Sequence, residues 1–127
     1  MITTRQETSQ RHIEAAIALF HDGKIDCAIT LAAAAEGCLR ATTDPHLFQA
    51  LNPLAEKDEL NLVINWLKHP QLPETVEIVP FEGVLTICRA ITKFIAVYHM
   101  SCAPFEDFLI WQREAGYPFL GTNPMPN

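Results

Sequence analysis

The residues of this chain that could do chemistry gather in a few short stretches. In NLVINWLKHP, Asn65 and His69 are four apart and share one helix face, with Lys68 beside them. Arg89 and Lys93, also four apart, join Glu82 and Thr86 in the one polar strip of the apolar segment 80–98. Such a strip is most simply a solvated surface. Brought together in space, however, Lys68, His69, Arg89 and Lys93 would form a small cationic site for a phosphate or an RNA backbone.

Glu36 poses a different problem. It is the only charged residue between Asp26 and Arg40, in the otherwise largely apolar string IDCAITLAAAAEGCLR. A lone carboxylate on the buried side of a helix must find a partner or hold its proton to an unusually high pH. A structural ion pair, or a buried hydrogen bond, with a basic residue of another helix is the expected answer, ahead of catalysis. His12, His21, His46 and His99 fall near expected helix ends or surfaces and receive no role.

Much chemistry has no motif to stand on. No Glu-x-x-His pair, as a di-iron bundle needs, occurs; nor does a Gly-rich phosphate loop, GxSxG or HExxH. Cys27, Cys38, Cys88 and Cys102 show no CxxC spacing. Cys27 and Cys38 lie about 16 Å apart along a helix axis, too far to share one metal ion. Neither a metal nor a cofactor is expected. All of these cysteines except Cys102 fall in stretches that read as buried helix, where a thiol behaves as a small hydrophobe.

These residues need a scaffold, and composition sets its kind. With 127 residues, 49% hydrophobic and 19% charged, the chain fits one domain and excludes disorder. Its apolar runs fall short of the roughly 20 residues a membrane helix needs. The polar start MITTRQETSQRH has no apolar core of a signal peptide, so the cytoplasm is the expected compartment and no membrane partner is expected. A net charge of −6 argues against broad attraction to nucleic acid, so any RNA contact would have to be local.

Periodicity predicts an all-α, up-and-down bundle of about five main helices over residues 1–116, with an extended Pro- and Gly-rich tail over 117–127. The first helix begins at Thr4, in a capping box with Glu7, and ends near Gly23. The second, about Lys24 to Arg40, is apolar nearly all round and is expected at the centre. HLFQAL is a short helix that stops before Asn52 and Pro53. A further helix, Glu56 to Lys68, carries Leu60, Val63, Ile64 and Leu67 on its buried stripe. The segment QLPETVEIVP then runs extended across the bundle. Pro80 opens a long helix through Tyr98, and Pro104 opens the last, which Gly116 ends. The long helix has two apolar stripes and so needs two packing partners, one of which a second subunit could supply: a homodimer is expected.

The strings DGKIDCAITLAAAAEGCL, NLVINWLKHP and FEGVLTICRAITKFIAVY, in that order within residues 12 to 115, resemble a bacterial group of HEPN-like helical proteins. The resemblance implies a dimerising helical bundle of the kind many toxin, defence and RNA-processing systems use as a metal-independent ribonuclease. It implies RNA or a partner protein, such as a nucleotidyltransferase-like antitoxin, as the binding partner. Active members carry an Arg, four to six residues, then a His. Asn65 and His69 match that pattern, but Ile64 stands where the arginine belongs, replacing a guanidinium that could hold phosphate or stabilise developing charge by an aliphatic group. Binding without efficient RNA cleavage is therefore the leading expectation. A pure protein–protein interaction module is the first alternative. The second is an atypical ribonuclease in which Lys68 or Arg89 replaces the missing cation and His69 acts. Arg40 and His46 fit the bare spacing, but Pro45 and the ATTD turn put them on a loop, and that match is taken as chance.

Overall fold

Thr4 starts the first helix as read: its hydroxyl accepts the Glu7 amide at 3.0 Å, and α1 runs Arg5–His21. The structure, a computed structural model, describes residues 1–42 and 62–117. Within them follow α2 (Ile25–Cys38), α3 (Leu62–Lys68), α4 (Pro80–Tyr98) and α5 (Ala103–Glu114), with no strand among the described residues. The fold is an all-α bundle. The short helix expected at HLFQAL, the first turns expected at Glu56 to Asn61, and the tail beyond Tyr117 lie outside the described residues.

Two helix ends close by one device. Gly23 (φ 82°) and Gly116 (φ 90°) take the left-handed conformation. The amide of each, and that of the next residue, turns back onto the helix: Gly23 to Phe20 and Lys24 to Leu19, Gly116 to Arg113 and Tyr117 to Gln112. A glycine adopts this backbone without the clash a Cβ would bring. Helix α2 has no such end. Leu39 leaves it extended, and its last carbonyls are met by cations from other helices: Lys93 Nζ donates to the Glu36 carbonyl at 3.1 Å and Arg5 Nη1 to that of Cys38 at 3.4 Å. Positive charge at a helix C-terminus is favourable in itself.

The centre of the bundle is α4, not α2. Every residue from Gly83 to Ile91 is buried, as are Phe94, Ala96 and Val97, and α1, α2 and α5 all pack on this helix. Its apolar stripes find most of their cover within the chain, with Phe81 left 43% exposed. Helix α2 buries only Ala28, Ile29, Ala32 and Ala35, with Leu39 just beyond it, while Cys27, Thr30, Ala34 and Gly37 face outward. Its all-round apolar surface misleads because alanine is small: an outward Ala exposes little area, so burial is decided by which neighbours arrive. Cys27 is exposed and Cys38 partly so, against expectation; only Cys88 is fully buried. Burial pushes the Cys88 thiol up to about 12.

The α1–α4 approach is close. A Cβ on Gly83 would stand 2.9 Å from Phe20 Cδ2 and 3.0 Å from Ile25 Cγ2. Phe20 is itself held edge-on against Phe108 and Trp111, with ring centroids 5.8 and 5.5 Å away. Between α3 and α4 residues 75–79 form neither helix nor turn, and Val79 enters α4 from an extended conformation (φ −105°, ψ 150°).

Candidate functional site

Glu36 meets Arg89. The guanidinium donates from Nη2 to Oε1 at 2.8 Å and from Nε to Oε2 at 3.3 Å, a two-pronged pair joining the end of α2 to the middle of α4. The side chains are 13% and 4% exposed. Low local dielectric strengthens such a contact, but removing two charges from water costs several kcal/mol per ion, so the pair matters most for what happens if one half is lost. One turn on, Lys93 reaches the carbonyl of the same Glu36.

The polar strip of α4 is thus no solvated surface. Arg89 and Thr86 are buried, and Thr86 donates to the Glu82 carbonyl at 2.7 Å. Glu82 is half-buried; burial raises its carboxyl above the ordinary value, and the Val63 amide, donating to it, opposes the rise. The strip is a seam against α2 and the start of α3. The basic partner Glu36 requires and the cationic residues on α4 were two readings of one feature, with nothing local in the sequence to join them.

Of the expected cationic cluster, Arg89 and Lys93 are engaged by α2, binding Glu36 and the end of that helix. Lys68 lines a groove of about 380 Å³ between α2 and α3, with Thr30, Ala33, Ala34, Gly37, Ile64 and Leu67. Ile64 is half-buried there, while Leu67, placed on the buried stripe by its spacing, is exposed; of that stripe Val63 alone among the described residues is fully buried. Helix α3 touches the bundle mainly through α2, so a single side chain reaches the core.

Asn65 and His69 do come together. They share a cleft of about 580 Å³ with Leu62, Trp66, Gln71, Leu72, Pro73, Thr75 and Val76. Trp66 organises it: the indole Nε1 donates to the Pro73 carbonyl at 2.7 Å, and the Leu72 amide donates to the His69 carbonyl at 3.0 Å. These bonds fold the chain after α3 back over the helix and fix the cleft's far wall. The cleft thus has a mostly apolar lining with a few polar side chains, Asn65, His69, Gln71 and Thr75, among it, the usual make-up of a binding site. The sequence signalled Trp66 only by its place between Asn65 and His69, before a Pro-rich turn.

Arg40, set aside in the sequence, also has work inside the fold. Its Nη2 donates to the Val97 carbonyl at 3.2 Å and its guanidinium lies 5.9 Å from the Tyr98 ring centroid; His46 lies outside the described residues. His99 closes α4 in the left-handed conformation, φ 55°. Among the described residues no three His, Cys, Asp or Glu side chains lie together as metal ligands. No described helix is long and apolar enough to cross a membrane.

Comparison with known proteins places the chain nowhere: no family model, no curated protein and no solved structure matches it.

Proposed function

We propose that the chain is a non-catalytic binding domain of HEPN-like type, whose task is to hold a partner protein in the cleft of Asn65, Trp66 and His69. The make-up of that cleft carries the reading. Leu62, Trp66, Leu72, Pro73 and Val76 supply apolar surface, and Leu62 and Leu72 remain 52% and 41% exposed, next to fixed polar groups. Apolar side chains left in water beside a rigid aromatic are what a protein partner covers on docking. The cations that phosphate binding and cleavage chemistry would need point elsewhere: Arg89 and Lys93 hold α2, and Lys68 lines the other groove. With Ile64 in place of the motif arginine, His69 has no guanidinium supplied by its own helix. A nucleotidyltransferase-like antitoxin is one partner that fits the resemblance.

A second reading is favoured by one observation: Asn65 and His69 lie beside an indole, and an unstacked RNA base can lie on an aromatic face while amide and imidazole meet its edge. One pair of experiments separates the two. Affinity capture with the full chain from its own host, compared with Leu72→Asp, is expected to yield one stoichiometric protein that the variant loses. Anisotropy with short single-stranded RNA at low salt is expected to show no binding. RNA binding that falls steeply with salt and is lost in Trp66→Ala would replace the first reading by the second.

A further inference from the structure

The strap of residues 75–79 beside the cleft says what kind of partner segment fits, on the reading of the cleft as a protein-binding site. Residues 75–79 form neither helix nor turn and end on an extended Val79 (φ −105°, ψ 150°), with Val76 and Ile78 half-buried and Thr75, Glu77 and Val79 exposed, the two-residue alternation of a strand. Among the described residues no strand pairs with it, and none of those residues accepts a hydrogen bond from the amides of Thr75 to Val79. The Val79 carbonyl already accepts the Glu82 amide at 3.1 Å, but a run of unpaired amides whose burial alternates every second residue is a template for another strand. Its first residues, Thr75 and Val76, form one wall of the cleft that Trp66 and Leu72 also line. A segment paired with the strap would therefore carry its side chains past the indole.

Charge selects among the candidates for that segment. Glu74 and Glu77 are exposed on the strap, and Lys68 lines the groove on another side of α3. A second copy of this chain, of net charge −6, would bring the same acidic strap against these glutamates, and like charges facing each other across paired strands are unfavourable. A nucleic acid would bring phosphates past them. We infer that the cleft takes an extended segment of a partner protein that alternates apolar side chains with Lys or Arg, its backbone pairing with residues 75–78 and one apolar side chain resting on Trp66 and Leu72. This is recognition by strand addition, in which main-chain bonds supply affinity and alternate pockets supply choice.

The test is a displayed library of random ten-residue peptides selected on the full chain. Peptides that alternate apolar residues with Lys or Arg are expected, and the best of them is then synthesised with and without N-methylation at alternate amides. N-methylation and Glu77→Lys are each expected to weaken its binding by at least about tenfold, as lost backbone pairing and like-charge juxtaposition should. Glu77 is exposed, so the variant should keep the wild-type circular dichroism and melting temperature. Failure to enrich any peptide, enrichment of acidic or helix-patterned sequences, or indifference to N-methylation would each overturn the inference. The cleft as a protein-binding site would still stand if host-protein capture remained sensitive to Leu72→Asp. Light scattering that shows a dimer, lost in Glu77→Lys, would make a second copy the occupant and overturn the inference too.

Discussion

Replacing Arg89 by methionine removes the guanidinium but keeps most of the side chain's volume, leaving the Glu36 carboxylate at the α2–α4 seam without either of its close donors. Losing one member of a buried pair typically costs about 3–5 kcal/mol, because the remaining charge stays desolvated. The 13% and 4% side-chain exposures place this pair at the buried end of that range's conditions, although the partial opening on the Glu36 side admits some water. A domain of this size has a total stability of roughly 5–15 kcal/mol, so the single change removes a large share of it and lowers Tm by roughly 10–20 °C. Glu36→Leu should cost a similar amount, now by stranding Arg89.

The double variant Glu36→Leu with Arg89→Met is the discriminating measurement. An apolar pair of similar volume is often as stable as the ion pair it replaces, so the double change should cost much less than the sum of the single ones, with a coupling energy of about 2 kcal/mol or more. Urea denaturation followed by circular dichroism, fitted with a common m-value, reads all four corners of the cycle. Single variants that each cost under about 1 kcal/mol, or costs that simply add, would refute the pair as the fastening between α2 and α4.

Gly83→Ala is expected to destabilise despite the better helix propensity of alanine: a gain of about 1 kcal/mol is set against overpacking of about 1–3 kcal/mol at Phe20. Gly37→Ala, where a Cβ meets nothing within 4 Å, should instead stabilise by up to about 1 kcal/mol, and thermal melts of the two variants should shift in opposite directions. Thr4→Ala removes the cap on the Glu7 amide and should cost about 1 kcal/mol, measured the same way. The Cys88 thiol, held up to about 12 by burial, keeps its proton where the unfolded chain's thiol loses it near pH 9. Its contribution is therefore whole below about pH 9 and is lost as pH rises toward 12, at up to about 1.4 kcal/mol per unit. Cys88→Ala should flatten that alkaline slope; an unchanged slope in urea titrations at pH 8 to 10.5 would count against it. In native protein a thiol reagent should modify exposed Cys27 first and Cys88 only on unfolding.

Helix ends were legible in the chain itself. Thr4 with Glu7, Gly23, Pro80 and Gly116 each act on amides and carbonyls within a few residues, so the bounds of α1, α4 and α5 fall within a residue or two of the reading. The break in helix between His69 and Pro80 was legible for the same reason: prolines and β-branched residues act locally. Asn65 and His69 share a cleft because a four-residue spacing on a helix leaves them little choice. What lay beyond that reach was set by packing. Periodicity says which face of a helix is apolar but not which helix covers it, so the alanine-rich α2 read as central although α4 holds that place. The same limit hid the fate of the cations. Arg89 is 53 residues from Glu36 in sequence, and Lys93 lies 57 from it. Only the close approach of α2 and α4 turned a strip that looked solvated into the seam that holds a buried carboxylate.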